Sequence, residues 1–274
     1  MPFVSYAQNL EDVLLWRALQ HVENGFYMDV GASDPAEDSV TKAFYDRGWH
    51  GINIEPVPEY HSRLVNSRLR DISLAIAAGQ TDGELVLFDV PSIRGLATAD
   101  ENIAARYRDQ GLEVVTLTVP VRRLARICEE FVAEEIHFLK IDVEGAEAEV
   151  LGGMDLQRWR PWIVLVEATV PNSQTASFED WEPGLLGSGY RFAYFDGLNR
   201  YYVAEERADL LPMLSIQPNV FDDFVTSGQV AASAAAEGLK LRAQEAEAQL
   251  AAVYSSTSWR ITRPLRWARR RVRS

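Results

Sequence analysis

The sequence predicts an α/β domain built on a mostly parallel sheet and closed by a late antiparallel hairpin. Three observations predict it. Strand-like runs at 26–30, 50–55 and 72–77 alternate with helix-like segments, the pattern of parallel strands joined by crossover helices. The alternation resumes over 121–168 after an interruption. It ends in two runs, 190–195 and 200–204, separated by Asp196-Gly197-Leu198-Asn199, a hairpin signal.

Each element has its own reason. After Ser5, Leu10, Val13, Leu14 and Ala18 recur at helical spacing up to about residue 20. Phe-Tyr-Met-Asp-Val at 26–30 reads as a strand, and Gly31 to Asp34 as a turn. Pro35 suits the first position of a helix, where its missing N–H costs nothing; that helix is predicted to reach Arg47, with Gly48 as its stop. Residues 50–55 form the next strand, ended by Pro56 and Pro58. A helix to about Leu69 and a strand at 72–77 follow. Residues 83–119 interrupt the alternation: runs at 84–90 and 113–119 flank a polar loop and a helix near 99–110. Then come a helix at 121–132, a strand at 136–143, a helix at 145–151 and a strand at 162–168. Residues 229–253 are rich in Ala, Glu and Gln, and Leu239, Ala243, Ala246, Leu250 and Val253 follow a heptad spacing. That helix is expected to stand alone, dock, or support a homo-oligomer. The chain thus divides into a main domain at 1–222, a helical extension at 223–256 and a basic tail at 257–274.

The bulk composition bounds the function. A chain of 274 residues, 47% of them hydrophobic, suits one large globular domain with an appendage. No apolar run approaches the roughly 20 residues that span a bilayer. The first residues lack the basic-then-apolar shape of a signal peptide, and Cys128, the single cysteine, allows no intrachain disulfide. A cytoplasmic location is expected. The net charge of −13 hides an asymmetry, because residues 260–274 hold seven arginines and no acid, which leaves −20 on residues 1–259. So acidic a body argues against general nucleic-acid binding.

The most informative stretch is 138–147, Phe-Leu-Lys-Ile-Asp-Val-Glu-Gly-Ala-Glu. A buried parallel strand is normally an almost continuous apolar run, and charges inside it need partners or a task. Lys140 and Asp142 share one face because side chains alternate along a strand. Glu144 follows just past its end, where open α/β sheets bind ligands. Asp29-Val30-Gly31-Ala32-Ser33 ends an earlier strand, and Glu55 the one after it. A glycine there admits close approach to the backbone, and an acid on the next strand can accept hydrogen bonds from both ribose hydroxyls of a nucleoside. The single glycine disfavours a pyrophosphate cofactor, as in a nicotinamide-dependent reductase, and no Gly-Lys-Ser/Thr motif marks a P-loop. The acidic turn, with Asp29 and Asp34, suits the phosphate-free cation S-adenosyl-L-methionine.

These residues resemble the FkbM-type S-adenosylmethionine-dependent methyltransferases. The likeness rests on Ser-Tyr-Ala-Gln-Asn-Leu-Glu-Asp (5–12), Asp-Val-Gly-Ala (29–32), Gly-Trp-His-Gly-Ile-Asn-Ile-Glu-Pro (48–56) and Leu-Lys-Ile-Asp-Val-Glu-Gly-Ala-Glu (139–147), and it covers about residues 3–205. It implies the class I methyltransferase fold, a Rossmann-like, mostly parallel seven-stranded sheet with its last strand antiparallel, and methylation of hydroxyls on sugars, polysaccharides or secondary metabolites. It further implies that Gly31 and Ala32 line the methionine end of the cofactor, that Glu55 and Pro56 border the ribose, and that Asp142 stands by the methionine ammonium or the reaction centre. Asp34-Pro35 departs from the glycine of many relatives, which leaves Ser33 and Asp34 less firmly assigned.

A sugar hydroxyl attacks only as its proton leaves, and a positioned carboxylate speeds this by roughly 10²- to 10⁴-fold. Asp142 and Glu144 are the candidate bases, and Lys140 can orient one of them. Glu167 ends strand 162–168 at the same sheet edge, and Arg94 lies in the 83–119 insertion; both are expected at the acceptor. Tyr6, Gln8 and Asp12 could close over the site. His50 and His137 sit at strand starts, the wrong end for catalysis. Asp142 with Glu144 could hold Mg²⁺, but nothing in the sequence demands a metal. Two tryptophans among the tail arginines suit an anionic membrane surface, or a glycan-assembly partner at the inner face of the membrane. The reading is an O-methyltransferase acting on a sugar hydroxyl of a glycan or surface polysaccharide; the alternative is a noncatalytic, methyltransferase-like adaptor in a glycan-assembly complex.

Overall fold

The computed structural model describes residues 2–93, 95, 97–171, 173–263 and 266. Its elements run β1 Phe3–Ser5, α1 Glu11–Leu19, β2 Phe26–Val30, α2 Lys42–Tyr45, β3 His50–Ile54, α3 Pro58–Ser67, β4 Ile72–Leu74, β5 Ala77–Ala78, β6 Gly83–Asp89, α4 Glu101–Asp109, β7 Val115–Arg122 and α5 Leu124–Phe131. They continue with β8 Phe138–Ile141, α6 Glu147–Gly152, β9 Ile163–Glu167, α7 Glu182–Gly187, β10 Tyr190–Phe195, β11 Asn199–Ala204 and α8 Leu211–Leu214. The chain falls into two compact units, Met1–Phe224 and Val225–Ser274. In the second, α9 Ser227–Ser255 opens with a capping box in which Thr226 and Gln229 satisfy each other's backbone N–H, and α10 is Thr257–Ile261. No helix among the described residues is long and apolar enough to cross a membrane.

The main sheet has strand order β10-β11-β9-β8-β2-β3-β4. Strands β9, β8, β2, β3 and β4 pair in parallel; β11 runs antiparallel to β9 and to β10. Alternation along each strand splits the core into two layers. Met28, Val30, Ile52, Ile54, Leu139, Ile141, Val164 and Val166 pack on one face with Leu124 and Ile127 of α5 and Val150 of α6. Tyr27, Phe138, Ile163 and Leu165 pack on the other with Leu14, Leu15 and Leu19 of α1 and with Phe44 of α2. Each such aliphatic side chain, fully buried, stabilises the fold by about 1.5–3 kcal/mol. At the strand starts, buried His137 accepts the Phe26 N–H at Nδ1 (3.0 Å), and burial lowers its pKa, so it serves the fold.

Two expectations fail locally. The helix predicted from Pro35 to Arg47 shrinks to α2. Asp34 Oδ1 takes the N–H groups of Ala36 and Glu37, Asp38 adopts a left-handed φ of 55°, and buried Arg68 draws off the Pro35 carbonyl and the Ser39 hydroxyl. These local partners outcompete the helix ladder. The strand predicted at 72–77 is two short strands in different sheets. β4 extends the main sheet beside β3, whereas β5 joins a separate three-stranded sheet, order β5-β7-β6, made by the 83–119 insertion.

Candidate active site

The parallel strands carry their chemistry to one edge. Val30 pairs with Ile54, so the next residues, Gly31 and Glu55, leave the sheet side by side. Ile141 pairs with Val166, which does the same for Asp142 and Glu167. Gly31 and Ala32 donate N–H bonds to the Ile54 carbonyl (3.0 and 3.2 Å), tying the β2 turn to β3. Gly31 has φ +76°, and a Cβ there would collide with the Asp142 carbonyl oxygen. Its glycine is therefore demanded first by the approach of two chain segments, and only secondarily by a ligand. Glu55 is buried, and its two oxygens accept the N–H groups of Val57 and Ser33, each at 2.8 Å. Burial pushes its pKa up to about 7, against the opposing pull of those two N–H groups and of Lys140. Each oxygen keeps a second lone pair for another donor.

Lys140 is the hub of the edge. Its ammonium donates to the Gly31 carbonyl at 2.7 Å and stands 3.3 Å from both Asp29 Oδ1 and Asp142 Oδ2. Burial alone would push its pKa down; Asp142 and then Asp29 more than reverse this and hold it charged. Asp29 and Lys140 are register partners on β2 and β8, which makes their pairing unavoidable. Asp29 was expected at the cofactor; it is buried, its Oδ2 accepts the Thr41 hydroxyl at 3.0 Å, and it is not among the residues lining the cavity. Its task is to fix Lys140.

Beyond Asp142 the chain turns through two left-handed residues, Glu144 at φ +56° and Gly145 at φ +103°. Glu147 secures this turn by accepting the Val143 and Gly145 N–H groups. The turn brings one carboxylate oxygen of each of Asp142, Glu144 and Glu167 to within 4.8 Å of the others. Burial, then the charges of Asp142 and Glu147, push the Glu144 pKa up to about 8. Burial and the neighbouring acids, Asp142 foremost, push Glu167 up as well.

A cavity of about 310 Å³ opens at this edge. Gly31, Ala32, Ser33, Glu55, Pro56, Lys140, Asp142 and Glu144 line it; Glu167 does not, though its carboxylate comes within 4.8 Å of those of Asp142 and Glu144. Arg94 lies outside the described residues. The apolar wall was not foreseen: Val57 with Ala77, Ala78, Leu85 and Leu87, most of it from the insertion's own sheet. Its one sequence signal was the strand-like run at 84–90. Of the N-terminal block, Gln8 reaches the cavity, whereas Asp12 is buried and accepts the Ser5 hydroxyl and the Tyr6 and Ala7 N–H groups.

A comparison with curated proteins gives no match. Among solved structures, a TehB-like SAM-dependent methyltransferase from Corynebacterium glutamicum is similar over 71% of this chain and 87% of its own, at 7% identity and a TM-score of 0.39, a likeness on which nothing here rests. The family model described as the methyltransferase FkbM domain matches residues 29–192, more than half of the chain, from the end of β2 to the first half of β10. The chain belongs to the FkbM methyltransferase family.

Proposed function

We propose that this class I methyltransferase fold transfers a methyl group from S-adenosyl-L-methionine to a sugar hydroxyl of a glycan or surface polysaccharide. The observation that carries this reading is the arrangement of acids around one cavity, Glu55 from β3 and Asp142 with Glu144 from β8, with the Lys140 charge already spent on Asp29 and Asp142. Among the described residues that line the cavity, no ammonium besides that of Lys140 and no glycine-rich turn is offered to a phosphate. The donor set fits a phosphate-free, cationic nucleoside.

When bound, S-adenosylmethionine supplies a methyl group already activated by a positive sulfur. The chain's part is to hold and orient. Glu55 has a free lone pair on each oxygen for the ribose hydroxyls, with Pro56 beside it, and the wall of Val57, Leu85 and Leu87 offers an apolar surface for a flat base. The backbone of Gly31, Ala32 and Ser33, held to Ile54 and Glu55, would border the methionine end, and Asp142 would take its ammonium. Alignment of the acceptor is the main task in such a displacement. Glu144, which burial makes a stronger base than an ordinary carboxylate, would take the proton of the acceptor hydroxyl as its oxygen gains the methyl group. Lys140 is a positioning residue for Asp142. Glu167, whose carboxylate meets those of Asp142 and Glu144, would serve the acceptor side. In the tail, Arg266 stacks on Trp259 at 3.6 Å and Ile261 is exposed, in keeping with docking on an anionic membrane or a glycan-assembly partner.

The test is incubation with S-adenosylmethionine labelled at its methyl group and glycan extract from the native cell. The expected product is a labelled methyl ether on a sugar oxygen. Label on an amino nitrogen, or no transfer to glycan, would refute the assignment.

A further inference from the structure

The meeting of Asp142, Glu144 and Glu167 is not explained by methyl transfer alone. Three carboxylates from two neighbouring strand ends approach within 4.8 Å, an arrangement that repels itself unless a proton or a cation lies between them. Lys140 does not fill that place, since its donors go to Gly31, Asp29 and the Oδ2 of Asp142. A second observation points to a ligand. Glu167 is only 8% exposed, its Oε2 is buried with no hydrogen-bond donor, and the side chain it meets at hydrogen-bonding range is another acid, Asp142. Buried carboxylate oxygens are normally satisfied, as those of Glu55 and Asp12 are. The orphaned oxygen belongs to the one member of the triad that does not line the cavity.

We propose that Asp142, Glu144 and Glu167 hold a divalent cation, Mg²⁺ or Mn²⁺, at the edge of the cavity. The donor set is all oxygen and anionic, which selects a hard cation over zinc or copper. One oxygen from each acid leaves other positions of a six-coordinate ion open. Asp142 and Glu144 line the cavity, so those positions face the space assigned to the acceptor. The use of the ion rests on the methyl-transfer reading: it takes the acceptor hydroxyl as a ligand and lowers its pKa. Glu144 then gives one oxygen to the ion and keeps the other for the proton. The existence of the ion site is independent of that use.

The test titrates MgCl₂ and MnCl₂, each alone, into chelator-treated full-length protein, followed by calorimetry and by melting temperature. S-adenosylhomocysteine is titrated separately into the same samples. Wild type should bind one ion per chain and melt higher with it. Glu167→Gln should lose both the heat and the metal-induced shift, while its metal-free form melts no lower than wild type, because a carboxyl crowded by Asp142 and Glu144 has been removed. Asp142→Asn serves as a second variant should the first fail to fold. Absence of saturable binding of either ion at millimolar concentration, or equal binding by wild type and variants, overturns the proposal and leaves a shared proton at the triad. Failure of S-adenosylhomocysteine to bind, with ion binding intact, overturns the methyl-transfer reading instead.

Discussion

Two groups of buried acids lie in this fold, and they differ in what surrounds them. In the N-terminal block, Asp12 accepts the Ser5 hydroxyl and the Tyr6 and Ala7 N–H groups, and Glu11 accepts the Asn9 N–H and the Asn199 side-chain amide. Burial pushes their pKa values up, to about 6 and about 7, yet each carboxylate is enclosed by donors. At the carboxyl edge of the sheet, Asp142, Glu144 and Glu167 face one another, and an oxygen of Glu167 has no donor at all. Raised pKa values occur in both places, so the shift does not distinguish scaffold from site. What differs is the donors: the lone pairs of Asp12 and Glu11 are met by their own chain and serve the fold, whereas the Glu167 oxygen without a donor awaits something from outside.

The sharpest way to break this contrast is Glu144→Gln. Turnover should fall by about 10²- to 10⁴-fold, measured as labelled methyl transferred per enzyme, with the melting temperature held or raised. A variant that keeps turnover but melts early would place Glu144 with the scaffold. Next in size is Asp12→Ala, which strips three donors of their acceptor. A loss of about 3 kcal/mol, or roughly 6–12 °C in melting temperature, is expected by calorimetry. An unchanged melting point would mean that satisfied acids are dispensable. The smallest effect is on pH. Glu11, Asp12 and Glu55 titrate near 7, 6 and 7 in the fold, above the ordinary carboxylate values of 4.5 and 3.8. Between those limits the unfolded chain has lost protons that the native chain keeps, so the stabilisation is complete below about pH 4 and is lost as pH rises through 6 to 7. Melting temperature should fall between pH 5 and pH 8, and Asp12→Asn should flatten that slope. A rise over the same interval would reverse the sign of the argument.

Much of this was legible in the chain. The run Phe-Leu-Lys-Ile-Asp placed Lys140 and Asp142 on one strand face, and the position of Glu167 after Val-Leu-Val placed it at the same sheet edge. Such inferences use only the alternation of a strand. What stayed hidden depended on partners distant in sequence. The Asp29–Lys140 pair follows from the register of β2 against β8, which no local pattern encodes. Pro35 looked like a helix start because Arg68, thirty-three residues on, is invisible to a propensity argument. The Ile72–Ala78 stretch reads as one apolar run, yet its two halves answer to different neighbours, β3 and β7. The carboxylate left without a donor could not be read from composition at all, since satisfaction is a property of three-dimensional surroundings.

The tight packing of Gly31 against the Asp142 backbone fixes where novelty can enter this fold. No side chain fits at that point, so the sheet edge there is a rigid seat that cannot be reshaped residue by residue without parting β2 from β8. The opposite wall is different, because Ala77, Ala78, Leu85 and Leu87 come from a small sheet of their own and face the same space with side chains that can be enlarged, trimmed or made polar. A designer seeking a new specificity would leave the seat alone and recut the wall.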